Sequence, residues 1–215
     1  YSLYGKGRSV KMPVEMKDRM ESFLLDQNGN LWMASGNRLF IANTRLEFSQ
    51  PAVEGIQALA VAKDKVWIGS DKGLYAMNLS DRKITAHLEH EHINILSLYT
   101  DPSGLLWIGT FGQGLYCFDP KSEKYLHLTE KEKLSNNSIL NIDGRDNYIW
   151  LATLGGIMEL HWQGDPLRED IDITGFLEKY QFPEGYVYDV YAASDGKTWF
   201  GTDGKGLYCL EKNHF

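Results

Sequence analysis

The densest group of side chains with chemical capacity is His87-Leu88-Glu89-His90-Glu91-His92, three imidazoles and two carboxylates within six residues. Imidazole and carboxylate ligands together suit zinc. The same run also reads as a polar connecting loop, and no metal is assigned to it. A second group is scattered along the chain: Arg38, Asp71, Lys72, His92, Asn94, Phe111, Gln113, Asn136, Asn137, Tyr186, Tyr188, Asp203 and Lys205. Aromatic faces mixed with amide and charged groups are the chemistry that holds a sugar, and these residues are the candidates for binding one. A glycoside-cleaving pair of carboxylates would have to converge in space, which spacing along the chain does not establish. Nucleophile elbow, P-loop and dinucleotide fingerprint are all missing, so no catalytic residue and no cofactor are assigned.

The elements that position those residues must be apolar enough to pack. Of 215 residues, 43 % are hydrophobic and 13 % aromatic, sufficient for a substantial core. The formal charge is −7 and the pI about 5.4, an acidic balance that argues against nucleic acid and anionic membrane surfaces as partners. Lys6, Arg8, Lys11, Lys17 and Arg19 form a small basic cluster, read as a solvated face. No apolar run approaches the ~20 residues of a membrane helix. The chain opens on Tyr1-Ser2-Leu3-Tyr4 without Met, as expected of a segment cut from a longer protein. Two cysteines, Cys117 and Cys209, exclude a disulfide framework and a cysteine-rich zinc site.

An internal repeat organises the rest. LWMASGNRLF from Leu31, VWIGSDKGLY from Val66, LWIGTFGQGLY from Leu106, IWLATLGGIM from Ile149 and TWFGTDGKGLY from Thr198 share one pattern. Their tryptophans, Trp32, Trp67, Trp107, Trp150 and Trp199, are spaced by 35, 40, 43 and 49 residues. In the third copy Ile95 to Thr100 alternates and ends at Asp101-Pro102-Ser103-Gly104, a type I turn composition. Leu105 to Thr110 is a second strand rich in branched and aromatic residues. Gly112 and Gly114 supply a second reversal, Leu115 to Phe118 a third strand, and Lys124 to Thr129 a fourth. Four antiparallel strands in about forty residues is the size of a propeller blade. The small residue two after each Trp (Ala34, Gly69, Gly109, Ala152, Gly201) allows neighbouring sheets to approach, with the Trp packed between them and its indole N–H needing a partner.

Asp101 through Leu115 resembles the two-component regulator propeller repeat, D-x-x-G-x-L-W-I-G-T-x-x-G-L, with one extra residue before the final Leu. Asp26 through Leu39 resembles it more loosely. Leu134 to Leu140 is similar to the polar lead-in that precedes the family's innermost strand, and Pro183 to Tyr188 is a weaker version. The resemblance covers nearly the whole chain from about residue 20. It implies the extracytoplasmic, periplasmic sensor region of a hybrid two-component histidine kinase, binding an oligosaccharide or similar polar ligand, with dimerisation through the parent receptor. Two other classes compete. Ser194-Asp195-Gly196-Lys197-Thr198-Trp199 is faintly similar to a sialidase Asp-box but lacks a residue, and virginiamycin lyase-like propellers share the Gly-Trp rhythm. A protein-interaction scaffold of the WD-repeat type would carry Trp-Asp and Gly-His, which are absent.

The expected fold is all-β: a β-propeller region across 1–215, with four-stranded antiparallel blades at 20–52, 53–90, 91–133 and 134–185, and an incomplete one at 186–215. Residues 1–19 are the end of a preceding blade, because Tyr1 to Pro13 aligns with Tyr116 to Leu128. An insertion from about Trp162 to Gly185 lengthens the fourth unit, where Phe176 to Tyr180 could form one helical turn. An arc of a larger, commonly seven-bladed propeller is favoured over closure of a five-bladed ring. The candidate binding residues fall in loops joining strand two to three and strand four to the next inner strand, which converge towards the propeller axis.

Overall fold

Period-2 alternation makes each apolar stretch a strand with one face for each neighbouring sheet, and the Asp- and Gly-containing turns return the chain antiparallel. The computed structural model describes residues 20–26, 28–35, 38–42, 48–49, 53, 55–88, 93–168, 171–175 and 185–211. Blade 1 contains β1 (Met20–Leu25), β2 (Leu31–Ser35), β3 (Arg38–Ala42) and β4 (Phe48–Ser49). Blade 2 contains β5 (Ile56–Val61), β6 (Lys65–Ser70), β7 (Gly73–Asn78) and β8 (Ile84–His87). Blade 3 contains β9 (Ile95–Thr100), β10 (Leu106–Thr110), β11 (Leu115–Asp119) and β12 (Lys124–Leu128). Blade 4 contains β13 (Ile139–Arg145), β14 (Tyr148–Thr153), β15 (Gly156–His161) and β16 (Asp172–Gly175). Blade 5 has three strands among the described residues: β17 (Val187–Ala192), β18 (Thr198–Thr202) and β19 (Gly206–Leu210). Each sheet runs in chain order, and the first strands of successive blades lie side by side, β1 to β5 to β9 to β13 to β17. The described helical content is a single 3-10 turn at Glu130–Glu132, closed by a Thr129/Glu132 capping box.

The repeat residues do what their types require. Trp32, Trp67, Trp107 and Trp150 are 0–4 % exposed, each packed against the next blade. Trp107 sits with Ile139, Ile142, Ile149 and Leu151 of blade 4, and Trp67 with Ile95, Ile108 and Phe118 of blade 3. A Cβ at Gly69 would collide with Ile95, and one at Gly109 would lie 2.8 Å from Ile139 Cγ2. The small residue is therefore the seat for the branched residue that opens the next inner strand.

The buried indoles of Trp32, Trp107 and Trp150 find partners. Trp107 Nε1 donates to Asp101 Oδ2 at 3.0 Å, and Trp32 Nε1 to Asp26 Oδ2 at 2.8 Å. The other oxygen of Asp101 accepts from the backbone N–H groups of Ser103 and Leu105, closing the turn that ends at Gly104 (φ 92°). One carboxylate thus holds both the turn and the tryptophan. Burial tends to raise the Asp26 carboxyl, but hydrogen bonds from Trp32, Asn30 and Asn28 outweigh it and hold the group below the ordinary range. Blade 4 lacks an Asp at this place, and Trp150 Nε1 donates instead to Glu159 Oε2, its cross-strand neighbour, at 3.0 Å.

Polar contacts join the inner strands. Ser97 Oγ accepts from the backbone N–H of Ile142, and Asp143 Oδ2 from that of Ala192. Arg145 reaches the first turn of blade 5, donating to the carbonyls of Ala193 and Lys197 and to Thr198 Oγ1, with its guanidinium 4.8 Å from the Trp150 ring centroid.

Two expectations, at Trp199 and Gly201, change in detail. The lengthened fourth unit remains one blade. It contains the outer strand β16, and Trp162 within it lies 4.9 Å from Trp107, filling the seam with blade 3. Trp199 is only half-buried, and a Cβ at Gly201 would meet nothing nearer than Asp189 Cβ at 3.7 Å. No described blade covers that side of blade 5. The proposed helical turn at 176–180, the alignment of 1–13 and any contact closing a ring lie outside the described residues.

Candidate functional site

The loops at one end of the blades share a local design. A Ser or Thr closing the second strand bonds across the turn to a glycine carbonyl: Ser70 to Gly73, Thr110 to Gly114, Thr153 to Gly156 and Thr202 to Gly206, at 2.7–3.2 Å. The next backbone N–H then donates to the segment leading into the inner strand of the same blade. Asp71 bonds to Gly55, Phe111 to Asn94, Leu154 to Ser138 and Asp203 to Tyr186. Gly114 N–H crosses to the Asn137 carbonyl at 2.8 Å and links blades 3 and 4. Two glycines make the approach feasible. A side chain at Gly55 (φ 69°) would collide with the Asp71 carboxylate, and a Cβ at Gly155 would lie 2.8 Å from the Ser135 carbonyl oxygen.

These bonds set the described turn candidates of blades 2 to 5 at one end of the blades. Arg38 is exposed at the start of β3, and Asp71 and Lys72 are exposed in the blade 2 turn. Phe111 projects from the blade 3 turn at 54 % exposure, beside Asn94 and Gln113, whose carbonyl contacts His127 Nε2 at 2.6 Å. Tyr186, Asp203 and Lys205 are exposed together in blade 5. Asn136 and Asn137 already have structural work. Asn136 Oδ1 accepts from Ser138 N–H and Asn137 Oδ1 from Glu130 N–H. Asn94 differs: its amide oxygen is buried and has no hydrogen-bond partner. His92 lies outside the described residues.

Tyr188 belongs to an inner strand rather than a loop, at a place the repeat makes special. The β17–β18 register shifts between Val187 and Asp189, leaving Tyr188 as a bulge, and the same shift occurs at Glu21, Gln57, Leu96 and Leu140. A bulge re-aims its side chain, and Gln57, Leu96, Leu140 and Tyr188 hold such positions at the loop end. Sequence reasoning missed the first three, because a bulge leaves no local signature beyond one skipped alternation.

The histidine-rich run has a partly structural explanation. The His87 ring lies edge-on to Trp67 at 5.2 Å and tilted against Phe118 at 5.9 Å. Burial, aided by Lys65 and opposed by Glu123, keeps it below its ordinary pKa of 6.5. Among the described residues no group of three or more His, Cys, Asp or Glu side chains gathers as metal ligands. A cleft of about 370 Å³ lies at the opposite end, between the first turns of blades 3 and 4. Asp101, Ser103, Asp146, Asn147 and Trp162 line it, and none of the loop-end candidates does.

Radially ordered four-stranded sheets with adjoining inner strands and interblade tryptophans define a β-propeller. Residues 88–112 and 181–204 match the family model described as "Two component regulator propeller". Each matched segment spans an inner strand, its turn and the second strand, and together they include Phe111, Tyr186 and Asp203.

Among curated proteins, a histidine kinase of Formosa agariphila is 27 % identical over 178 residues, 75 % of this chain and 13 % of that protein. Among solved structures, the extracellular domain described as a hybrid two component system from B. thetaiotaomicron superposes with a TM-score of 0.72. It is 22 % identical, over 94 % of this chain and 30 % of that one. An inactive virginiamycin B lyase from Staphylococcus aureus gives a TM-score of 0.73 at 14 % identity, over 94 % of this chain and 70 % of that one. At such identities these structures share the fold. The chain spans less than a third of the length of the kinase and of the two component system domain. No described helix is long and apolar enough to cross a membrane.

Proposed function

We propose that this chain is a non-catalytic, ligand-binding propeller segment of an extracytoplasmic sensor in a two-component signalling receptor, located in the periplasm, and that its loop end binds an oligosaccharide. The observation that carries the proposal is the family match over residues 88–112 and 181–204, the two segments that present Phe111 and Tyr186. The Formosa histidine kinase and the two component system extracellular domain agree with it. The clasped turns hold the exposed rings on short, braced loops, which lowers the ordering cost of binding. Nearby amide and charged groups (Gln113, Asp71, Asp203, Lys205) supply partners for hydroxyls. Signal would pass through the geometry of a receptor homodimer.

Calorimetric titration of the parent ectodomain against plant and host glycan fragments tests the proposal. Saturable heat, reduced in Phe111→Ala or Tyr186→Ala, is the expected outcome. The fold shared with virginiamycin B lyase gives a second class of activity a direct check. Product accumulating in the same incubations, and abolished by Asp71→Asn or Asp203→Asn, would replace the sensor with an enzyme. Absence of heat across a broad panel would remove the saccharide.

A further inference from the structure

The turns opposite the loop end form a second concave surface. Pro102 and Ser103 of the blade 3 turn and Asp146, Tyr148 and His161 of blade 4 line the same cleft of about 370 Å³, with Trp162 filling the seam between the blades. That volume is at the small end of ligand pockets. Both sides are held in place. Asp101 braces the blade 3 turn through the backbone of Ser103 and Leu105 and the indole of Trp107. Asp146 and Asn147 are the two-residue turn between β13 and β14, and the Asn147 carbonyl accepts the Trp162 N–H at 3.3 Å. The Tyr148 ring stacks on His161 with centroids 4.2 Å apart and lies 16° from the plane of Trp150, yet stays 38 % exposed.

The cleft carries charge of one sign. No Lys or Arg lines it, since Arg145 is engaged with the blade 5 turn and Arg168 pairs with Asp165. Asp146 makes no hydrogen bond or ion pair among the described residues. The field of these carboxylates reaches the groups packed behind: burial first, then Asp143, Asp101 and Asp146, raise the Tyr99 hydroxyl, and burial, then Asp101, Asp165 and Asp119, raise the Cys117 thiol. The adjoining ring of the same strand shows what such a surface accepts, because the Arg145 guanidinium lies 4.8 Å from the Trp150 centroid.

We infer that the cleft between the first turns of blades 3 and 4 binds a guanidinium group, stacked on Tyr148 and donating to Asp146 and to Ser103 Oγ. A planar, permanently charged fork suits a ring face beside a carboxylate, whereas an ammonium offers the charge without the flat face. Ser103 Oγ donates its own proton to Asp101 Oδ1 at 2.6 Å and is left as an acceptor. A small guanidino compound and the arginine of a peptide carry the same group. The site is separate from the loop end and does not depend on the saccharide reading.

The test is calorimetric titration of the full 215-residue chain with four probes. These are agmatine, N-acetyl-arginine methylamide, and the citrulline and lysine counterparts of the latter. Citrulline keeps the planar shape and removes the charge, while lysine keeps the charge and removes the plane. The arginine probe should bind saturably, more tightly than either counterpart, and more weakly as salt screens the carboxylates. Asp146→Asn and Tyr148→Ala should each weaken it about three- to tenfold, with far-ultraviolet circular dichroism confirming the fold, and Phe111→Ala at the other end should leave it unchanged. Agmatine binding more tightly than the blocked arginine would support the site as one for a free guanidino compound, and the reverse order would support a peptide arginine. Equal binding of the citrulline or the lysine counterpart would overturn the inference. So would unchanged affinity in both cleft variants, or no heat from either guanidinium probe at millimolar concentration.

Discussion

Removing the Trp107 side chain should be among the most damaging single changes in the molecule, and its cost can be built from the structure. The ring is fully buried, lies against Trp162 in one cluster with four aliphatic side chains of blade 4, and donates its N–H to Asp101 at 3.0 Å. Truncating a buried Trp to Ala costs about 3–5 kcal/mol through lost transfer energy and the cavity left behind. Asp101 Oδ2 also loses a buried partner, a penalty of about 1–3 kcal/mol when counted alone, though neighbouring terms do not simply add. For a chain of this size each kcal/mol moves the melting temperature by about 2–4 °C, so a loss of roughly 6–20 °C is expected for Trp107→Ala. Phe111→Ala removes a ring of similar apolar content that is 54 % exposed, and should stay within about 0.5 kcal/mol of the parent sequence. Thermal melts followed by far-ultraviolet circular dichroism report both without relying on the deleted fluorophore. Coincident melts for the two variants would refute the interblade assignment of the repeat tryptophan.

Other outcomes follow from the same contacts. Glu159→Gln should be tolerated because an acceptor for Trp150 Nε1 remains, whereas Glu159→Leu should cost about 1–3 kcal/mol by orphaning the indole; equal melting of the two would contradict the pairing. His87 has a folded pKa below 6.5, so the unfolded chain holds the proton more tightly. Its stabilising contribution is complete above 6.5 and is lost as pH falls through the folded value. His87→Phe should therefore flatten the stability profile on the acid side of 6.5, and an unchanged slope would count against the half-buried neutral ring. Both cysteines are free, and burial pushes the Cys117 thiol up. Thiol titration of unreduced protein should find Cys117 silent when native and two thiols after unfolding. Finding none after unfolding would overturn the repeat alignment.

Much of the blade was legible because one blade face must accept the next. The Trp, the small residue two places on and the Asp-containing turn are each dictated by that seam, and all three stand in the sequence at fixed spacing. β9 and the Asp101 turn fall where alternation and turn composition place them. The Ser/Thr clasp was visible as part of the pattern, but its partner, the carbonyl of the following glycine, becomes evident only in three dimensions. Glu159 as the substitute for a missing Asp could not be read locally, since it reaches Trp150 by cross-strand pairing nine residues away. β16 was obscured by the long connection through Trp162, a sixth tryptophan outside the repeat register. Loop-end candidates were recognisable as polar turns, yet the structural use of Asn137 depended on the 3-10 turn at Glu130–Glu132, and that of Asn136 on a local bond from Ser138 N–H. The inner-strand bulges left almost no trace.

Hydrogen exchange of the parent ectodomain, with and without a saturating oligosaccharide from the calorimetric panel, bears most directly on where a ligand sits. Binding at the loop end predicts slowed exchange in the turns around Thr110–Gly114 and Thr202–Gly206 and in the lead-in at Ser135–Ser138, with loss of that protection in Phe111→Ala. Protection confined to the opposite turns, at Asp101–Gly104, Asp146–Asn147 and Ala193–Lys197, would contradict the account.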